Sequence, residues 1–475
     1  MPVLLMFYVF CMSKILFRSF EVEEKKILYI NLSNILEGEK KYFILSRAFQ
    51  NIGPALGRVQ EEGSGPVHGF RLSTVSASQP SETGTTHEPT GLDLAMKLHY
   101  LKAVYIYSAE TARDLTVMHV KAPLFSVFDQ IPYIIGRFRR HDSGRPYIKC
   151  NDCGTRFVES HCDLTVEEWL RVPDRSVDES LVYHQPVGPE LAFSPLLYIQ
   201  MTRFSCGGLA LGLSWAHVMG DPFSLSHFFN LWAQAFAGEK IYSPKTSELE
   251  RVFQNPNSTV KKPNSIKRVD PVGDLWVTPN NSKMTTFSFN LTVNDLKSHF
   301  PVNGDDKFEI LSGIIWKCIA TARGESDPVT ITVIRSDPKE LKPRAVRNGQ
   351  MISSVHVDFS VAEASLEEIV KSIGEARDER FGIDEIVDDV SDFIVYGANL
   401  TFVDMSEVDF YEAKVMGKSP ESVYCNVQGI GDDGAVVVLP GVVEEERVVT
   451  VTLPEDEIEK VKWEMKKCGL ITPLV

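Results

Sequence analysis

Apolar and polar positions along the chain change period repeatedly, as a mixed α/β sequence does. Thr90-x-x-Asp93 opens an apolar helical stretch running through Tyr100. Val120 to Ile131 reads as helix and Tyr133 to Phe138 as strand. Tyr147 to Cys150 and Thr155 to Val158 read as two strands of a hairpin that turns at Asn151-Asp152-Cys153-Gly154. Glu167 to Val172 predicts a short helix, and Pro195 to Phe204 with Gly207 to Trp215 predict two long strands. Phe223 to Phe236 has the spacing of an amphipathic helix. Gly238 to Lys283 is then rich in Lys, Pro, Asn and Ser and reads as a crossover. The pattern restarts with a strand at Met284 to Leu291, a helix at Phe308 to Ala322, and strands at Val329 to Ile334 and Ala435 to Leu439. A charged helix follows Pro454.

This order predicts an α/β protein of two mixed halves, 67–238 and 284–475, joined by a crossover at 239–283 and preceded by an extension at 1–66. At 475 residues and roughly 150 per domain, two or three domains are expected. Sixty-four acidic against 49 basic residues leave a net charge of −15, and no Lys/Arg block offsets it. Such a chain is repelled by phosphate backbones, so no nucleic-acid partner is expected. Ordinary Gly and Pro content with 10% aromatics excludes collagen-like, coiled-coil and disordered classes.

The eight cysteines are scattered, several in apolar runs such as Ile314 to Ile319, which suits buried free thiols in a reducing compartment. Cys150, Cys153, His161 and Cys162 lack the spacing of a four-ligand zinc site, so no metal is expected. Met1 to Phe17 is apolar but broken by Lys14, and its clean run from Pro2 to Met12 is shorter than the roughly 20 residues a bilayer requires. It reads as an anchor, a peripheral membrane-touching segment, or a peptide upstream of the true start, the last fitting best because 1–66 lacks the pattern of the rest.

Candidate chemistry concentrates at Leu209 to Ser224. An apolar strand ends in His217, and Gly220-Asp221-Pro222 turns the chain into a helix with Pro222 at its first position and Asp221 as N-cap. A histidine at the mouth of a rigid strand is placed to act as general base, being largely neutral at pH 7. The same spacing also describes a core histidine beside a helix-capping aspartate. His217 and Asp221 lie across a turn and not along one helical face, which argues against a metal pair.

His217-Val218-Met219-Gly220-Asp221 resembles the HXXXD motif of the plant BAHD acyltransferases, which transfer acyl groups from coenzyme A thioesters. Leu92-Asp93, Pro132 to Arg137, Cys150-Asn151-Asp152 and Phe193 to Leu196 are similar to that family too, and the likeness extends over roughly Val67 to Val475. The resemblance implies two chloramphenicol-acetyltransferase-like mixed-sheet domains enclosing a central channel with His217 in its middle. It implies acyl-CoA as donor co-substrate, no permanently bound cofactor, and direct attack by an alcohol or amine deprotonated by His217. Asp221 would then be structural, with Arg335 as its expected partner from the second domain.

The family's second motif, DFGWG, is absent. Tyr411-Glu412-Ala413 is followed by Lys414-Val415-Met416-Gly417-Lys418 where that motif belongs. An intact HXXXD without DFGWG resembles the Eceriferum/Glossy branch, as do Tyr396 to Phe402 and Asp93 to Tyr100. That branch implies very-long-chain fatty-acid elongation for cuticular wax, with the elongase condensing enzyme as partner. It also implies the cytosolic face of the endoplasmic reticulum, or else the cytoplasm, with only peripheral membrane contact. A conventional acyltransferase and a non-catalytic elongase scaffold are the alternatives.

Three other signals carry less. Gly429-Ile430-Gly431-Asp432-Asp433-Gly434 spells GxGxxG, but a strand follows it where a dinucleotide site needs a helix, so a hairpin turn is expected. Ser214 lacks a G-x-S-x-G elbow. Glu444 to Glu446 reads as a solvated loop.

Overall fold

A computed structural model describes residues 20–22, 25–27, 65–243, 263–292, 307–338, 345–388 and 391–471. The chain divides into Met1–Gly65 and Pro66–Val475. In the first unit Phe20–Val22 pairs antiparallel with Lys25–Ile27. The sequence readings of Met1 to Phe17 lie outside the described residues. No helix among the described residues is long and apolar enough to cross a membrane.

Pro66–Val475 is built on two large mixed sheets. The first has six strands in the order Ser422–Gln428, Tyr100–Tyr107, Leu209–Ala216, Leu197–Phe204, Thr155–Cys162 and Val67–Val75. All its pairings are antiparallel except that of Thr155–Cys162 with Leu197–Phe204. Helices Val117–Gln130 and Pro222–Phe236 contribute to its core: Tyr105 stacks on Phe229 with centroids 3.6 Å apart, and Trp232 Nε1 donates to the Val120 carbonyl at 3.1 Å. All eight residues of Leu209–Ala216 are buried, as a strand covered on both faces requires.

The second sheet has seven strands, ordered Met284–Thr292, Glu446–Pro454, Ala435–Pro440, Leu400–Asp404, Thr330–Arg335, Met351–His356 and Arg377–Asp378. Leu400–Asp404 runs parallel to both of its neighbours. Helices Lys307–Arg323, Leu366–Gly374 and Ile458–Lys467 share a separate apolar core with this sheet.

The division into contiguous halves fails at one strand. Ser422–Gln428, from the second half of the sequence, forms the edge of the first sheet beside Tyr100–Tyr107. Glu179 fastens it there: its carboxylate accepts from Tyr424 (3.0 Å), Asn426 (3.2 Å) and Gln428 (2.8 Å), and from Lys102 Nζ (3.1 Å). The GxGxxG segment is accordingly not a hairpin turn but the passage between sheets. Gly429 has φ +75°, and a Cβ there would lie 2.3 Å from the Leu98 carbonyl.

Other expectations are corrected by packing. The first helix ends at Ala95, and Tyr100 opens a strand. The hairpin at Cys150 does not form, because Pro146–Lys149 joins Arg137–Arg140 and Thr86–His87 in a small sheet. Thr155–Cys162 instead enters the six-stranded sheet. Buried Arg137 holds this divergence, donating to the carbonyls of Gly136 at 2.7 Å and Gly154 at 2.8 Å. The described end of the crossover is fixed to the fold at two points. Lys267–Val269 pairs with Asp392–Ile394, and Trp276 is fully buried with its ring 4.6 Å from Phe138.

Candidate functional site

The strand Leu209–Ala216 delivers His217 into a single 3₁₀ turn, His217–Met219, before the helix Pro222–Phe236. Trp215 Nε1 donates to the Gly220 carbonyl at 3.0 Å and closes this corner. Asp221 is the N-cap, its Oδ1 accepting from the Ser224 amide at 2.7 Å. Its Oδ2 accepts from the Gly349 amide at 2.9 Å, and its own amide donates to the Arg347 carbonyl at 3.2 Å. Asp221 thereby joins the corner to a segment of the second half of the chain.

That segment is not the one expected. Arg335 pairs with Glu309 at 2.6 Å, lies 4.0 Å from Asp404 and sits over the Phe308 ring. Strand Thr330–Arg335 directs it toward Glu309 of the helix Lys307–Arg323 and Asp404 of the neighbouring strand, and the docking to Asp221 comes from Arg347 and Gly349. Asn348 between them donates to the His217 carbonyl at 3.0 Å and to Asp93 at 2.8 Å. Asp93 also completes the capping box with Thr90, so the first helix is pinned to the same corner.

The His217 ring is fully buried. Its Nε2 lies 2.8 Å from the hydroxyl of Tyr396, and its Nδ1 has no hydrogen-bond partner among the described residues. Burial lowers its pKa to about 4 against opposing pulls from its own backbone carbonyl, Asp221 and Asn348, so the imidazole is neutral at pH 7. His99 lies beside it. The Val395 amide donates to His99 Nε2 at 3.0 Å, so Nδ1 carries the proton and donates to the Gly429 carbonyl at 2.9 Å. Burial first, then His217, lower the His99 pKa to about 3. Tyr396 packs edge-on against His99, and burial holds its phenol well above the usual value.

Among the described residues no channel reaches His217 as expected, because the ring has no accessible surface. Cavities of about 560, 380 and 770 Å³ are present, and His217 lines none of these three. The first includes Asp93, Tyr133, Cys150 and Val346 and comes within one side chain, Asn348, of the His217 backbone. No group of His, Cys, Asp and Glu among the described residues is arranged to hold a metal ion. Ser214 does meet an imidazole, His184 Nδ1 at 2.7 Å, but Ser214 is buried.

Sequence reasoning placed His217 and Asp221 correctly at the corner and missed His99, Asn348 and Tyr396 as its partners. His99 and Tyr396 stand inside segments already singled out by resemblance. Nothing local marks Asn348-Gly349.

A strand-borne histidine and a helix-capping aspartate thus stand where the first sheet docks on a segment from the second half of the chain. Residues 67–468 match the model of the Transferase family, and the chain belongs to it, within the plant BAHD acyltransferases and their Eceriferum branch. It is 91% identical over 420 residues to Protein ECERIFERUM 26-like of Arabidopsis thaliana, covering 88% of this chain and all of that one. With Protein ECERIFERUM 2 of the same plant it shares 38% over 428 residues, 85% of this chain and 99% of the relative. Among solved structures, vinorine synthase superposes with a TM-score of 0.65 at 16% identity, covering 85% of this chain and 98% of that one. TRI101 of F. sporotrichioides, complexed with coenzyme A and T-2, has a TM-score of 0.60 at 16% identity, with 81% and 98% covered.

Proposed function

We propose that this protein supports very-long-chain acyl elongation for cuticular wax by acting with the fatty-acid elongase condensing enzyme. Its site is the cytosolic face of the endoplasmic reticulum, and its contribution there is binding and not free acyl transfer. The observation that carries this reading is the contact between His217 Nε2 and the Tyr396 hydroxyl, 2.8 Å apart on a fully buried ring. A general base must come within hydrogen-bond reach of the proton it removes, and here that position is taken by the protein's own side chain. The segment Lys414 to Lys418 in place of DFGWG points the same way. The ECERIFERUM relatives support the setting in wax formation. Acyl-CoA is the expected ligand, in keeping with the coenzyme A complex of a protein of the same fold. No permanently bound cofactor is required.

Co-expression with a condensing enzyme in yeast tests this. Wild type and His217→Ala should lengthen the acyl products equally; unchanged chain lengths in both, or lengthening by wild type alone, refute it. A second reading, conventional transfer to an alcohol or amine, is favoured by the neutral imidazole of His217. It requires purified protein to esterify a fatty alcohol and to lose that activity in His217→Ala.

A further inference from the structure

The loop that carries Tyr396 is held more firmly than a surface connection would need. The Val395 amide is anchored on His99 at 3.0 Å, the Tyr396 carbonyl accepts from the Gly431 amide at 2.8 Å, and the Gly397 amide donates to Thr401 Oγ1 at 3.0 Å. Gly397 has φ +81°, and a Cβ there would lie 2.4 Å from the Gly431 carbonyl oxygen. Two backbones thus meet where only glycines fit. Tyr396 is thereby fixed with its ring 5.2 Å from that of His217, and neither side chain has accessible surface. With Nε2 in its basic form, the phenol O–H is the donor to it. That is the place an incoming acceptor O–H would have to take.

We propose that Tyr396 is a built-in plug in the acceptor position, which closes His217 to free acceptors and which removal of that side chain opens to small primary alcohols. The inference rests on the functional reading above, in which the chain does not transfer acyl groups freely, and names the side chain that prevents it. The restraints on the loop make the plug a fixed part of the fold and not a swinging lid. In the opened site the alcohol O–H gives its proton to His217 Nε2 while its oxygen attacks the thioester carbonyl. The C–S bond then breaks, and the coenzyme A thiolate takes the proton from the imidazolium, leaving an ester and free thiol.

The test uses the full chain and two readouts. Diethyl pyrocarbonate acylates neutral accessible imidazoles, and His217 is neutral at pH 7, so failure to react reports access and not protonation. In wild type, His68 and His141, whose side chains are 47% and 44% exposed, should be modified while His217 is spared. In Tyr396→Ala, His217 should become reactive. Release of coenzyme A from hexanoyl-CoA in the presence of ethanol should rise by roughly tenfold or more, within what a positioned base contributes. The rise should vanish in Tyr396→Ala/His217→Ala. Modification of wild-type His217 at the rate of His68, or continued protection in folded Tyr396→Ala, overturns the plug. If Tyr396→Ala does not fold, Tyr396→Leu takes its place with the same expectation, and the wild-type arm still decides by itself. Reactivity of His217 without ester formation upholds the plug and refutes acyl transfer as the chemistry of this site. Loss of elongation in His217→Ala refutes the accessory role and leaves the plug intact.

Discussion

Asp221 gives one carboxylate oxygen to its own helix and the other to Gly349, 128 residues further along the chain. Removing it costs a helix cap and leaves a buried amide unsatisfied. Asp221→Ala should therefore lower stability by about 2 to 4 kcal/mol, read as a lower urea midpoint. A loss of activity without such a shift would mean that Asp221 has a chemical role. Three buried imidazoles make a second residue-level prediction. Burial depresses His99, His184 and His217 to about 3, 3 and 4, from an ordinary 6.5. The unfolded chain then binds more protons below pH 6.5, so their contribution to stability is complete above that pH. It is lost as the pH falls toward 4, by up to about 1.4 kcal/mol per pH unit for each imidazole. Urea unfolding at pH 7 and pH 5 checks this, and equal midpoints would show that these rings are accessible to protons in the folded state. His217 and Asp221 were legible from spacing, since a strand end, a cap and Pro222 are local facts. The partnership with Tyr396 was not, because the two are 179 residues apart and meet only through the sheets.

At the scale of elements, local signals succeeded where an element is decided by its own turns. The capping box at Thr90 and Asp93, the N-cap at Asp221 and the helix ending at Phe236 form as read. They failed where a neighbour decides. Pro146–Lys149 and Thr155–Cys162 look like a hairpin in one dimension, yet Asp152 (φ +53°) and Gly154 (φ +77°) send them to different sheets. The loop Val395 to Asn399 is a comparable case, with an apparently ordinary glycine at its centre. Gly397→Ala must bear both the left-handed backbone and the contact with Gly431, at a cost of about 2 to 4 kcal/mol. Its melting temperature should fall, and His217 should gain reactivity toward diethyl pyrocarbonate as Tyr396 is displaced. A variant as stable as wild type would contradict the close packing of the two glycines.

Across the whole molecule, the strand Ser422–Gln428 prevents either half of the sequence from being self-sufficient. Tyr100–Tyr107 is flanked by that strand on one side and by Leu209–Ala216 on the other. A fragment of residues 66–243 would leave one edge of that buried strand uncovered and Lys102 without part of its polar surroundings. It should be aggregated or lack a cooperative melt, by circular dichroism and light scattering. A monomeric, cooperatively folded fragment would show that the crossing strand is dispensable.

Residue order alone settles the α/β class, the strand-to-helix corner at His217 and Asp221, and the missing motif at Lys414 to Lys418. Those depend on period, capping and the order of residue types, which are properties of short stretches. Tertiary structure alone decided that Ser422–Gln428 changes sheets, that Arg335 faces Glu309 and not Asp221, and that Tyr396 closes over His217. Each of these is a meeting of distant segments, set by sheet register and by glycine-permitted approach between backbones, and no local pattern encodes either.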